Sequence, residues 1–171
     1  MGPVSAEIEI DVPREQAFAA LADLAARPSF TDHFLSDFHL TRLESTGSGA
    51  GARFRIQAPM RKVWMDTAIV SLEEPFKIVE EGRGGRGNRI RNHTVWEVTG
   101  GIGSLSTVRV SNWTEPGRVD RSLEFLSGAS FWQGRGWRQA LCRLRDKLES
   151  DQPAAVRIAV AGGNRYATGI P

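Results

Sequence analysis

From Val4 to Val12 the chain alternates, with Ala6, Ile8 and Ile10 opposite Glu7, Glu9 and Asp11. A period of two marks a strand with one buried face. Pro13 then suits a first helical position, Glu15 sits where the positive end of a helix dipole favours a carboxylate, and Phe18, Leu21 and Ala25 recur at helical spacing. This predicts a helix over 13–26. Pro28 interrupts it, and 29–35 reads as a short second helix with Phe30 and Phe34 on one face. Strand patterns follow at 37–44, 52–58, 63–73, 76–82, 89–98 and 104–114, separated by turns rich in Gly, Pro or Asn. Between 131 and 150 the period changes again. Trp137, Leu141, Leu144 and Leu148 form one helical stripe, while Arg138, Arg143, Arg145, Asp146 and Lys147 occupy the other faces. Pro153 ends this helix, and Val156, Ile158 and Val160 alternate in a tail that reads as a further short strand.

Helices segregated at the two ends of a run of strands, without parallel strand–helix–strand repeats, give an α+β class with an antiparallel sheet. Such a sheet must cover one face, and the long terminal helix is the cover. A single domain over 1–150 with a tail over 151–171 is expected, since no repeat or linker divides the chain. Composition agrees: 40% hydrophobic and 25% charged residues exclude collagen-like, disordered and disulfide-dense classes. The only cysteine, Cys142, falls in the last helix and is expected to be packed. No stretch approaches the roughly 18 apolar residues of a membrane span, and the N-terminus leads straight into a strand without a secretory pattern, so the cytoplasm is the expected location. Asn92-His93-Thr94 and Asn112-Trp113-Thr114 match the glycosylation pattern by chance on this reading.

Three local sequences resemble the START-like or SRPBCC superfamily, which includes polyketide cyclase/dehydrase-like proteins, lipid-transfer proteins and Bet v 1-like proteins. Val12-Pro13-Arg14-Glu15-Gln16-Ala17-Phe18 is similar to that family's strand exit into its first helix. Gly47-Ser48-Gly49-Ala50-Gly51-Ala52-Arg53-Phe54 is similar to its Gly-rich hairpin entry. Ala140 to Glu149 is similar to its final helix. The resemblance covers residues 4 to 150 and implies a helix-grip fold, with a cavity between a curved sheet and the final helix. It departs from the family at Arg27-Pro28-Ser29-Phe30, where many relatives carry tryptophans around a proline, so a differently shaped cavity mouth is expected. The family spans binders, transfer proteins, cyclases and regulators, so the fold does not choose the activity.

Taking the more apolar parity of each strand as inward places Phe54 and Ile56, then Trp64, Asp66 and Ala68, then Asn92, Thr94 and Trp96, then Val108, Val110 and Asn112 around the interior. The parity of 63–73 is ambiguous, because Val63, Trp64 and Met65 make both faces apolar and a bulge would exchange them. A carboxylate at Asp66 among apolar neighbours would have a raised pKa suited to acid–base work, and His33 beside Phe34 would donate a hydrogen bond at the cavity mouth. His33, His39 and His93 show no metal-ligand spacing. The Gly-rich stretches lack the phosphate-loop and dinucleotide patterns, and no nucleophile elbow is present. Neither a metal nor a cofactor is therefore expected. Arg83, Arg86, Arg89 and Arg91 read as a solvated hairpin tip, and nucleic acid is not an expected partner. The reading is binding or carriage of a small hydrophobic or aromatic molecule, preferred to turnover. The alternatives are a polyketide cyclase/dehydratase using Asp66 or His33, and a protein- or RNA-interaction module using the arginine turn.

Overall fold

The computed structural model describes residues 3–58, 61–100, 105–115, 129–150, 159–160 and 163–166. Strand β1 (Val4–Ile10) leads into helices α1 (Arg14–Ala22) and α2 (Pro28–Thr31). Then come β2 (Leu35–Leu40), β3 (Gly51–Ala58), β4 (Arg61–Glu73), β5 (Lys77–Gly84), β6 (Ile90–Gly100) and β7 (Ser106–Glu115). The long helix α3 (Ala129–Glu149) follows, and the tail supplies β8 (Ala159–Val160) and β9 (Gly163–Tyr166). The sheet runs β1-β7-β6-β5-β4-β3-β2, antiparallel throughout, with β8 added parallel to β2 and β9 antiparallel to β8. Its seven antiparallel strands curl into a half-barrel that grips the C-terminal helix, an α+β helix-grip fold. Pro153, Val156 and Ile158 lie outside the described residues, as does Ser104.

Pro13 starts α1 without wasting a donor, and its carbonyl accepts from the amides of Gln16 and Ala17 at 3.0 and 3.1 Å. The helix stops at Ala22, short of the predicted residue 26. The Asp23 carboxylate accepts the Ala25 amide at 2.9 Å, and the Leu24 amide turns away to the Ser45 carbonyl, also at 2.9 Å. Local side-chain capture of this kind competes with helix continuation. The second helix is likewise shorter than the pattern implied. Leu35 already belongs to β2, and the Gln57 amide donates to the Phe34 carbonyl at 2.9 Å.

On α3 the predicted stripe holds for Trp137, Leu141 and Leu144, which are buried, whereas Leu148 is only partly buried against the core. Cys142, expected to pack, is exposed. It follows Leu141 by one residue, about 100° round the helix and off the stripe. The backbone of α3 rests chiefly on β1 and α2, with a lesser contact on β3. The inner faces of the central strands are therefore met mainly by side chains. Among the described residues no helix is long and apolar enough to cross a membrane.

Candidate functional site

Strand register decides which side chains face α3. Ala52, Thr67, Gly82 and Asn92 form one row across β3 to β6, and Ile69, Glu80, Thr94 and Asn112 form the next across β4 to β7. Trp96 and Val110 follow, paired with each other. All of these are buried. Glycine is required twice on the inner side of β5. A Cβ at Gly82 would collide with the carbonyl oxygen of Asp66, and one at Gly84 with that of Trp64, so bare backbone lets β5 close on β4 where the sheet curls.

A charged pair lies at the centre of this face. Arg27, from the link between α1 and α2, donates to Glu80 Oε1 at 2.7 Å and to the Leu21 carbonyl at 3.0 Å. Trp96 Nε1 donates to the same Glu80 oxygen at 2.8 Å, and Thr67 Oγ1 donates to Oε2 at 3.4 Å. The side chains of Arg27 and Glu80 are 3% and 4% exposed, and the guanidinium lies 4.7 Å from the Trp96 ring centre. Buried charges persist when paired and hydrogen-bonded in this way. Arg27, from the segment that departs from the family pattern, thus lies buried against the inner face of the sheet.

Beside it, Asn92, Thr94 and Asn112 form an amide–hydroxyl cluster. Asn112 Nδ2 lies 2.7 Å from Thr94 Oγ1 and 2.9 Å from Asn92 Oδ1, and Asn92 Nδ2 lies 3.3 Å from Thr94 Oγ1. Trp137 descends from α3 and meets Trp96 edge-on at 5.4 Å and Phe34 edge-on at 5.0 Å. Phe34 fits against Gly136, where a Cβ would approach its ring to 2.9 Å. His33, half-buried, bonds the Gly136 carbonyl through Nε2 at 3.1 Å. Burial holds its imidazole below the usual histidine range, and the bond to Gly136 opposes that shift. With Nε2 donating to a carbonyl, the neutral ring keeps Nδ1 as an acceptor.

The structure brings Phe54, Asn92, Thr94, Trp96, Val108, Val110 and Asn112 to the buried inner side, with Ile56 packed partly against it and Phe34 facing α3. It does not bring Trp64, Asp66 and Ala68 there. On β4 the buried residues are Met65, Thr67 and Ile69, so the parity expected for this stretch is reversed. Val63, Trp64 and Met65 gave no contrast between the faces, and a bulge between Ile69 and Ser71 exchanges the parity further along the strand. Beyond the bulge Leu72, of the even parity, packs toward the core, and before it the odd residues do. Asp66 faces outward, 45% exposed and 3.3 Å from Arg53, without the apolar surroundings on which its acid–base role rested. Trp64 is 37% exposed, with the Arg55 guanidinium 4.6 Å from its ring centre.

Arg27, Thr67 and Glu80 were missed as interior groups, and Trp137, expected in the helix stripe, was missed as a site residue. Glu80 was signalled by the alternation Ile78, Glu80, Gly82, Gly84, and Trp137 by the helix stripe itself. Arg83, Arg86, Arg89 and Arg91 are exposed around the β5–β6 turn, where Gly85, Gly87 and Asn88 have positive φ. Among the described residues no three His, Cys, Asp or Glu side chains gather as a metal site requires.

A family model described as polyketide cyclase/dehydrase and lipid transport matches residues 1–149. No curated protein matches the sequence. Among solved structures, the protein TTHA0849 of Thermus thermophilus is 16% identical with a TM-score of 0.68, over 88% of this chain and 99% of its own. KanY is 18% identical with a TM-score of 0.69, over 87% of this chain and 99% of its own. DynU16, from the dynemicin biosynthetic locus, is 19% identical with a TM-score of 0.61, over 90% of this chain and 49% of its own. At these identities the likeness is one of fold.

Proposed function

Because the chain belongs to the polyketide cyclase/dehydrase and lipid transport family, we propose that it binds or carries a small, largely apolar or aromatic molecule between the inner face of the sheet and α3. The observation that carries this reading is the way α3 sits. Its backbone leans on β1 and α2, while the central strands bury Phe54, Met65, Trp96 and Val110, of which Trp96 meets Trp137 edge-on. Apolar walls with a few placed polar groups are what small-molecule sites are made of. Binding is favoured over acid–base turnover because the interior carboxylate, Glu80, has both oxygens engaged by Arg27, Trp96 and Thr67. Asp66, the carboxylate of the cyclase/dehydratase alternative, faces away from the interior.

Native mass spectrometry of gently purified protein tests the reading by finding a retained small molecule. Titration with naphthalene, a plain apolar ring, tests it independently. Tryptophan emission should change, less so in Trp96→Phe and Trp137→Phe, and stability should rise by about 2.7 kcal/mol at a hundredfold excess over Kd. No retained molecule, together with no change in emission or melting temperature, would sink the proposal.

A further inference from the structure

We infer that Asn112 and Trp137 select a ligand carrying both a hydrogen-bond donor and an acceptor on an apolar ring system, the first taken by Asn112 Oδ1 and the second by Trp137 Nε1. The inference rests on the interior-binding reading and sharpens it. Asn112 is 2% exposed, and its Nδ2 faces the His93 carbonyl at 3.2 Å as well as Asn92 Oδ1 and Thr94 Oγ1. A backbone carbonyl only accepts, so it fixes which end of the amide points to it. Oδ1 must then point the other way, and among the described residues it has no partner. Trp137 is 5% exposed and its Nε1 likewise has none. The other indole of this face, Trp96, is satisfied by Glu80, so of the two indole N–H groups on this wall one is engaged and the other has no partner among the described residues.

These two groups belong to facing elements at one end of the interior. Asn112 is the cross-strand partner of Val4, and a Cβ on Gly134 would lie 3.3 Å from Val4 Cγ1. Trp137 comes one helical turn after Gly134, on the same side of α3. It reaches Trp96, whose partner Val110 is two residues before Asn112 on the same strand face. An acceptor on the sheet and a donor on the helix therefore flank one apolar region. A hydroxyl or amine hydrogen serves the first, and an ether, carbonyl or hydroxyl oxygen serves the second. A plain hydrocarbon or an alkyl chain leaves both desolvated and unmatched, which buried polar groups penalise.

Three matched probes separate this inference from the reading beneath it. 1-Naphthol offers donor and acceptor, 1-methoxynaphthalene an acceptor alone, and naphthalene neither. Calorimetric titration of the whole chain should rank them in that order, with 1-naphthol roughly 10- to 100-fold tighter than naphthalene. Trp137→Phe should shrink the advantage of 1-methoxynaphthalene over naphthalene, and Asn112→Leu that of 1-naphthol over 1-methoxynaphthalene. Circular dichroism checks that each variant folds, and if Asn112→Leu does not, the parent ranking decides. Equal affinity for all three probes would overturn the hydrogen-bonding inference and leave interior binding standing. Binding of none would overturn both, and an advantage of 1-methoxynaphthalene over naphthalene undiminished in Trp137→Phe would remove Trp137 from the recognition pair.

Discussion

Glu80→Gln probes the charge balance at the centre of the sheet. Glutamine is nearly the same size and still accepts from Trp96 Nε1, 2.8 Å away in the parent, so what disappears is the negative charge opposite Arg27. Arg27, 3% exposed, is left as an uncompensated buried cation. Breaking a buried pair from one side costs about 3–5 kcal/mol, and Arg27→Met should cost a similar amount by stranding the carboxylate. The double variant Arg27→Met/Glu80→Gln has neither charge and keeps the acceptor for the indole. Its methionine replaces a guanidinium that lies over Trp96 and Phe30 at 4.7 and 5.9 Å. What remains lost is the bond to the Leu21 carbonyl, so the double variant should cost only about 1–2 kcal/mol, less than either single change. Urea denaturation followed by far-ultraviolet circular dichroism measures all three. In thermal melts each single variant should lose about 6–20 °C, at roughly 2–4 °C per kcal/mol for a chain of this size. Single effects that add in the double variant to within about 0.5 kcal/mol would refute the reasoning. So would a cost below about 1 kcal/mol for Glu80→Gln.

Further expectations follow from the same geometry. Gly82→Ala should destabilise the fold by about 1–3 kcal/mol or more, because its Cβ meets the backbone carbonyl of Asp66; an unchanged melting temperature would contradict the tight β4–β5 approach. Asp66→Asn should cost at most about 1 kcal/mol as a surface pair and leave affinity for an interior ligand unchanged. A loss of affinity of about 10-fold would return Asp66 to the site. The lowered pKa of His33 means that the folded chain binds protons less readily there than the unfolded chain, so its share of stability is present above about pH 6.5 and is lost as pH falls. Melts from pH 7.5 down to about 4.5 should therefore show the parent losing more stability than His33→Gln, and parallel curves would refute it.

The element order was legible because it depends on periodicity, and the stripe Trp137, Leu141, Leu144 was legible for the same reason. Strand parity was legible where one face is plainly apolar, as for Val108 and Val110. It failed on β4, where Val63, Trp64 and Met65 offer no contrast and the bulge after Ile69 exchanges the faces further on. A bulge depends on the partner strand, which no reading of a single strand contains. Helix ends were misplaced for a related reason: the Leu24 amide leaves the helix for Ser45, a partner distant in sequence. The buried place of Arg27 was not legible because its counter-charge, Glu80, comes from β5, and only the closed sheet brings the two together.

The pairing of β1 with β7 joins Val4 to Asn112 and Ile10 to Ser106, so β1, made before the other strands of this sheet, is among the last of them to find its neighbour. During synthesis at about 5–20 residues per second, β1 must wait several seconds to some tens of seconds for β7 to emerge. Throughout that interval Ala6, Ile8 and Ile10 have no sheet to join, while β2 through β6 can zip up by successive hairpins between neighbours. Closing this long loop late makes β1 the strand of the sheet most in need of protection from other chains during synthesis.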